Sequence, residues 1–242
     1  MARRKGRPGK ARAGKRQKRG AGFGPWRRWL PAAFAFLVAF VLLVVALPAF
    51  VDPPRGLYMR SEAARLGRID HRPVPLDKVS LAARRAVVAA EDANFCRHFG
   101  FDMAELRRAI AAGGRRGAST ITQQTVKNVF LWQGRSWPRK ALEALITPLV
   151  ELFWGKRRIL ELYLDRAEFG EGIFGIEAAA RRRFGKPAAR LTLREAARLA
   201  AVLPDPKGRD PKSNAPRFRV RVRQIEDGAR TIARDGRDAC FR

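Results

Sequence analysis

Histidine and cysteine are almost missing from this chain, with two of each in 242 residues. His71, His98, Cys96 and Cys240 are too few and too scattered for a Cys/His metal cluster of recognisable spacing, so a structural zinc site is not expected. The two cysteines suit one disulfide in an oxidising compartment, but their separation leaves the pairing open. Strand signals are scarce as well. The one alternating stretch, Arg219 to Val222, has neighbours that favour a basic terminal helix. There is no internal repeat. Acids are few: 22 Asp and Glu stand against 51 Lys and Arg, a net charge of +29. The 46% hydrophobic content excludes wholesale disorder, and the length suits one main domain with appendages.

The positive charge ordinarily suggests nucleic acid, but its distribution argues otherwise. Residues 1–28 contain twelve Lys and Arg and no acid. This Gly, Arg and Lys tail is too polar to bury a core and is expected to stay disordered. Directly after it, WLPAAFAFLVAFVLLVVALPAFV, residues 29–51, has no charged side chain. At about 1.5 Å per helical residue it is long enough for a hydrocarbon core of roughly 30 Å. A core helix is usually shorter and amphipathic, and no convincing small-x-small cleavage site marks a signal peptide. The run therefore reads as one retained transmembrane helix. The positive-inside rule keeps the tail in the cytoplasm and residues 52–242 on the far side. Beside an anchor, the tail charges meet anionic lipid head groups rather than nucleic acid.

Residues 52–79, with Pro53, Pro54, Pro73 and Pro75, read as an extended connector, and residues 80–242 as the main domain. Ser80 suits the N-cap of a helix over LAARRAVVAAED, with Arg84 and Arg85 facing solvent. That helix leads into EDANFCRHFG, residues 91–100, which gathers two acids and one of the two histidines within eight residues. Continued helical spacing puts Glu91, Phe95 and His98 on one face. The helix C-terminus, the apolar turn and the Asp92 charge all raise the pKa of Glu91 and favour a proton acceptor. From these ten residues alone, a helix-terminal salt-bridge cluster is the commoner explanation.

RGASTITQQTVKN, residues 116–128, shifts that balance. With Ser119 as N-cap, Thr120, Gln123, Gln124 and Lys127 form a polar stripe suited to a sugar or phosphate. Solvated faces are usually richer in Glu and Lys. In RKALEALITPLVELFW, residues 139–154, Leu142, Leu145, Ile146, Leu149, Leu152 and Phe153 have helical core spacing, with a kink expected at Pro148. Arg139 and Glu143 are i, i+4 partners. Trp132, Trp137 and Trp154 among basic residues resemble interfacial aromatics, although core packing explains single tryptophans equally well. Residues 156–186 read as helix, glycine-punctuated turn and helix, and LTLREAARLAAVLPDP as another helix stopped by Pro204 and Pro206.

The ordered set EDANFCRHFG, GASTITQQTVKN, RKALEA, KRRILELYLD and GEGIFGIEAAA resembles the glycosyltransferase family 51 domain, the peptidoglycan glycosyltransferases. QGRSWPRK, RAEFGEGIFGIEAAA and the expectation of no transpeptidase domain after residue 242 resemble its monofunctional, Gram-negative branch. The resemblance implies a mainly α fold with a lysozyme-like lobe and a smaller membrane-associated jaw. It implies that lipid II is polymerised on a lipid-linked glycan by an inverting reaction that expels undecaprenyl diphosphate, at the periplasmic face of the bacterial inner membrane. Glu91 then becomes the general base, organised by Asp92 and His98. Lys127, Arg135 and Arg139 hold the donor diphosphate. Ser119, Thr120, Gln123 and Gln124 line the cleft. Glu143, the other catalytic candidate, orders the basic pocket or binds a divalent cation such as Mg or Mn, with no cofactor obligatory. Cell-wall synthesis or division proteins are the protein partners implied, and nucleic acid is not. Two positions depart from the family pattern: Ala118, where glycine is common in bifunctional relatives, and Asp165, where asparagine is usual.

A lysozyme-like hydrolase is the first rival, because a glutamate in a sugar cleft can also serve as general acid. A non-catalytic, membrane-anchored cell-wall scaffold is the second. A scaffold has no reason to keep Glu91, Gln123, Gln124, Lys127, Arg135 and Arg139 together, and the ordered motif set favours the transferase.

Overall fold

A computed structural model describes residues 29–113, 117, 119–134 and 136–242. The tail expected to be disordered, Ala118 and Arg135 lie outside the described residues. Helix α1, Leu30–Ala46, runs into a 3-10 turn, Leu47–Ala49. Together they make a 20-residue apolar span, Leu30–Ala49, only 6% of whose window is buried. At about 1.5 Å per residue that is roughly 30 Å, the thickness of a hydrocarbon core. This is one helix long and apolar enough to cross a membrane. The chain divides into two compact units at Phe40 and Val41, and every later element belongs to the second.

The second unit is mainly α, as expected. It contains α2 (Leu57–Leu66), β1 (Asp70–His71), α3 (Leu81–Glu91), α4 (Met103–Ala111), α5 (Ile121–Phe130), α6 (Trp137–Phe153), α7 (Lys156–Arg166), β2 (Glu168–Gly170), β3 (Ile173–Phe174), α8 (Ile176–Phe184), α9 (Leu193–Val202) and α10 (Pro216–Arg234). Ser80 caps α3, its hydroxyl accepting from the Ala83 amide at 3.1 Å. Helix α3 packs on α9 and α10, while α5 packs on α6 and α7. The α3–α9 contact is close because both faces are small: Ala83 and Ala86 meet a layer that includes Ala196, Ala197, Ala200 and Ala201, all buried. Arg219 to Val222 lies in α10, as its basic neighbours indicated.

Four expectations need correction. The connector is not simply extended, since it carries α2 and β1, and β1 pairs in parallel with β3. Strand β3 also pairs antiparallel with β2, so the glycine-punctuated turn belongs to a three-stranded sheet of order β1-β3-β2. Gly175 permits the exit from that sheet: at φ +83°, an added Cβ would lie 2.9 Å from the Asp165 carbonyl oxygen. Arg84 does not face solvent. It is buried, donating through Nε to the Val79 carbonyl at 3.0 Å and through Nη1 to the Phe241 carbonyl at 3.1 Å. Arg85 is half-buried and pairs with the fully buried Asp238.

The fourth correction concerns α6. Its buried side chains are Glu143, Thr147, Val150 and Glu151, whereas Leu142, Leu145, Leu152 and Phe153 are exposed and only Ile146 and Leu149 pack on the core. Apolar periodicity identified the helix but not its inner face. The polar side chains turn inward because each finds a partner there: Glu151 accepts from the Thr122 hydroxyl at 2.6 Å and pairs with Lys156 at 2.7 Å, and the Thr147 hydroxyl donates to the Glu143 carbonyl at 2.6 Å. Pro148 sits within a helix that continues to Phe153. The tryptophans divide. Trp154 is buried against Phe130 and donates to the Val45 carbonyl at 2.8 Å, whereas Trp132 and Trp137 are exposed.

Candidate active site

Helix α3 ends at Glu91, because Asp92 takes an extended conformation at φ −162°, and a 3-10 turn, Phe95–Arg97, follows. Glu91, Phe95 and His98 therefore do not share one helical face. Phe95 enters the core, while His98 turns back on Asp92, its Nε2 lying 2.8 Å from Oδ1. The other Asp92 oxygen accepts the Ile121 amide at 3.0 Å, at the positive end of α5. Asp92 thus ties this turn to α5. Gly100 lets the turn close: at φ +81°, an added Cβ would meet Thr147 Cγ2 at 2.6 Å. Phe95 also carries Lys156, whose Nζ lies 4.4 Å from the ring centroid and donates to the His98 carbonyl at 2.8 Å.

Glu91 borders a cavity of about 400 Å³ together with Asp92, Asp102, Ser119, Thr120 and Arg237. Its carboxylate accepts the Gln124 amide at 2.8 Å, and the Tyr163 hydroxyl donates to the other end of that amide at 3.3 Å. Burial raises the Glu91 pKa, and Asp92 adds to the rise; Gln124, Arg221 and Lys127 oppose it. Burial rather than the neighbouring charge is the main cause. Tyr163, wholly buried, is held well above the usual phenol value for the same reason and so remains a neutral donor. The result is a carboxylate that is oriented from one side, faces a cavity and accepts a proton more readily than an exposed glutamate.

Helix α5 begins one residue later than expected. Thr120, not Ser119, is the N-cap, and Thr120 and Gln123 form a reciprocal capping box. The Gln123 carbonyl accepts the Thr120 amide at 3.0 Å, and the Thr120 hydroxyl donates to the Gly100 carbonyl at 2.6 Å. Both side chains are buried in starting the helix, so the polar stripe divides between architecture and cleft. Thr120 nonetheless borders the cavity, as does Ser119, which is exposed and accepts from Lys140 Nζ at 3.5 Å, while Gln124 reaches Glu91. The spacing T-x-x-Q was itself the capping signal that the choice of Ser119 overlooked.

A second cluster lies on α6. Glu143 is buried and receives Arg139 at 2.8 Å on one oxygen and Lys140 on the other. Arg139 also donates through Nε to the Gly134 carbonyl at 2.8 Å. Lys127 lies within reach of the charges of this group, its pKa lowered chiefly by burial and next opposed by the Glu143 charge. Both Glu143 oxygens are therefore engaged by cations, with a third cation alongside. That donor chemistry suits a bound anion and does not fit a divalent metal ion. Among the described residues, no group of three His, Cys, Asp or Glu is placed to hold one. Arg135, the third expected phosphate ligand, lies outside the described residues.

Several functional neighbours went unnoticed in the sequence. Lys140 sits i, i+3 from Glu143 within RKALEA, and that spacing was a usable signal. Arg221 of α10 donates to the Ala90 carbonyl at 3.0 Å, and Tyr163 supports Gln124; neither had a local signature. Asp165, the departure from asparagine, is accommodated by charge: its oxygens meet His71 Nε2 at 2.9 Å and Arg166 Nε at 2.7 Å. Cys96 and Cys240, whose pairing was open, form a disulfide across a sequence separation of 144.

Against known proteins, residues 60–229 match the family model described as Transglycosylase. The chain is 54% identical over 215 residues to a protein of a Jannaschia species named "Biosynthetic peptidoglycan transglycosylase", covering 89% of this chain and 90% of that one. Proteins of the same name from Caulobacter vibrioides and Rhodospirillum centenum are 46% and 48% identical, over 88% of this chain and 95% and 96% of theirs.

Proposed function

This chain belongs to the transglycosylase family and is a peptidoglycan glycosyltransferase with a lysozyme-like, mainly α domain; we propose that it polymerises lipid II with Glu91 as the general base. Glu91 removes the proton from the 4-hydroxyl of the acceptor sugar. The freed oxygen forms its bond to the anomeric carbon of the lipid-linked donor glycan from the face opposite the leaving group. The carbon–oxygen bond to undecaprenyl diphosphate breaks, its electron pair leaves with the diphosphate, and the new β-1,4 link is inverted. The observation that carries this reading is Glu91 itself: raised in pKa by burial, oriented by Gln124 and open to a cavity.

Asp92 and His98 position the turn that presents Glu91. Lys127 and Arg139, joined by Arg135, receive the charge that develops on the departing diphosphate, a task suited to preorganised cations. Glu143 keeps Arg139 and Lys140 apart and oriented rather than moving a proton, and the cations make a divalent metal unnecessary. The apolar helix anchors the chain in the bacterial inner membrane, with the basic tail in the cytoplasm and the catalytic domain in the periplasm. The exposed apolar side chains of α4 and α6, among them Ile110, Leu145 and Leu152, form the jaw face that meets the bilayer. Cell-wall synthesis or division proteins are its partners there, and nucleic acid is not.

Incubating the full chain with labelled lipid II and sizing the products tests the reading. Lengthening glycan with release of undecaprenyl diphosphate is expected. Glu91→Gln keeps the hydrogen bond to Gln124 but cannot take the proton, and should lose roughly 10²–10⁴-fold of the rate. A wild type that shortens preformed glycan and leaves lipid II untouched is a hydrolase instead. A Glu91→Gln chain that polymerises normally has its base elsewhere.

A further inference from the structure

The cavity over Glu91 is bordered by one residue from beyond the matched span 60–229, Arg237. After α10 the chain turns back and fixes itself to the catalytic segment at four points. Phe241 is fully buried with its ring centroid 6.3 Å from that of Phe95. Asp238 is fully buried on Arg85, and Cys240 is joined to Cys96. Arg237 Nη1 donates to the Ala93 carbonyl at 3.2 Å. Residues 237–241 are thus built onto EDANFCRHFG, although they follow the matched domain.

Arg237 is the member of this segment that borders the cavity. Its side chain is 16% exposed, so the guanidinium is largely desolvated. Besides Ala93, it meets Asp235 at 3.1 Å, and its buried Nε has no hydrogen-bond partner among the described residues. A guanidinium offers five N–H donors, and a desolvated one with spare donors is well suited to an oxyanion. The acids around the cavity are already engaged: Glu91 by Gln124, Asp92 by His98 and Ile121, Asp102 by Asn94 and the Glu105 amide, and Glu105 by Arg108. Each terminal nitrogen of Arg237 spends one N–H, Nη1 on the Ala93 carbonyl and Nη2 on Asp235, which leaves the second N–H of each for a ligand at the cavity wall.

Building on the transferase reading, we propose that Arg237 binds an oxyanion of the incoming substrate in the cavity over Glu91, held there by the Cys96–Cys240 disulfide. Arg237 is thereby a substrate-positioning residue supplied from outside the matched domain. Lipid II carries two kinds of oxyanion, its diphosphate and the carboxylates of its peptide stem, and the chemistry of the site is common to both.

The test measures kcat and KM for lipid II polymerisation by the full chain in detergent, together with the Kd of labelled lipid II, which needs no turnover. Losing one charge-assisted contact should raise KM and Kd of Arg237→Ala roughly tenfold to a hundredfold, with kcat little changed. Arg237→Lys should recover part of the loss, and Arg230→Ala, exposed on α10, should not share it. Cys96→Ser with Cys240→Ser should raise KM in the same direction, and adding Arg237→Ala should then cost less than it does alone. With lipid II lacking the stem, a vanished Arg237→Ala penalty identifies a carboxylate and a retained one the diphosphate. Unchanged KM and Kd in Arg237→Ala overturn the proposal, as does a fall in activity matched by the fall in melting temperature with no rescue by Lys. A wild type that binds lipid II through Arg237 without polymerising it would sink the transferase reading and leave this one standing.

Discussion

Replacing Asp92 by Asn exchanges one carboxylate oxygen for an NH2, and the geometry around the residue makes that change expensive. Asp92 is 2% exposed in its side chain and accepts from two donors, His98 Nε2 at 2.8 Å and the Ile121 amide at 3.0 Å. An asparagine has one acceptor oxygen, so one of these donors must face an NH2 group. If the oxygen stays on Ile121, His98 must move its proton to Nδ1, and Nδ1 is buried with no hydrogen-bond partner among the described residues. The new donor is then orphaned at a cost of about 1–3 kcal/mol. If the oxygen turns to His98, the first amide of α5 is orphaned instead. Either way the carboxylate charge at the start of α5 is lost, worth about 0.3–1 kcal/mol. The sum is about 1.3–4 kcal/mol, and at roughly 2–4 °C per kcal/mol for a domain of this size the melting temperature should fall by roughly 3–16 °C. Thermal unfolding of the full chain in detergent, followed by circular dichroism, reads this directly. Activity supplies a second sign: removing Asp92 removes a charge that raises the Glu91 pKa, so the acid limb of the pH–rate profile should move to lower pH. A melting temperature within about a degree of wild type would refute the two-donor argument, since even the smallest sum corresponds to roughly 3 °C.

Three further outcomes follow from the same network. Glu91 has its pKa raised above the ordinary 4.5, so the folded chain holds the proton more tightly than the unfolded one, and stability is lost as pH rises from 4.5 through the folded value; Glu91→Gln should therefore melt above wild type at neutral pH, with the gap closing below about pH 4.5, and a constant gap would contradict the burial argument. Lys127 has its pKa lowered by burial, so Lys127→Arg should carry the alkaline limb of polymerisation to higher pH, and Lys127→Ala should weaken donor use far more than it lowers the melting temperature; equal losses favour a structural role. A reporter fused after residue 242 should be active only in the periplasm, and cytoplasmic activity would reverse the orientation.

What the sequence made legible was mostly what neighbours in the chain decide. The 20-residue apolar span, the Ser80 cap and the helical character of residues 139–153 depend on local composition and spacing, and the structure bears them out. The errors arise where a distant partner reverses a local preference. Arg84 has the look of a solvent residue until the Phe241 carbonyl, 157 positions away, is seen to receive it. The disulfide, the Arg221 contact with Ala90 and the β1–β3 pairing are equally non-local. Thr120 is a different kind of miss, because its capping box was written in four consecutive residues and lost to a neighbouring serine.

Helix α6 shows why the site was harder to read than the fold. A rule that buries apolar and exposes polar side chains turns this helix the wrong way, since Glu143, Thr147 and Glu151 face inward. Leaving such groups unpaired would cost several kcal/mol, so inward polarity survives only with complete partnering. The partners are present: Arg139 and Lys140 on Glu143, Thr122 and Lys156 on Glu151, the Glu143 carbonyl for Thr147. Lys156 then reaches the His98 carbonyl, and His98 reaches Asp92. The inverted face is thus continuous, through Lys156 and His98, with the turn that carries Glu91, and α6 also holds Arg139 and Lys140 around Glu143. A helix that must do this cannot also bury Leu142, Leu145 and Leu152, which is why they remain on the outside.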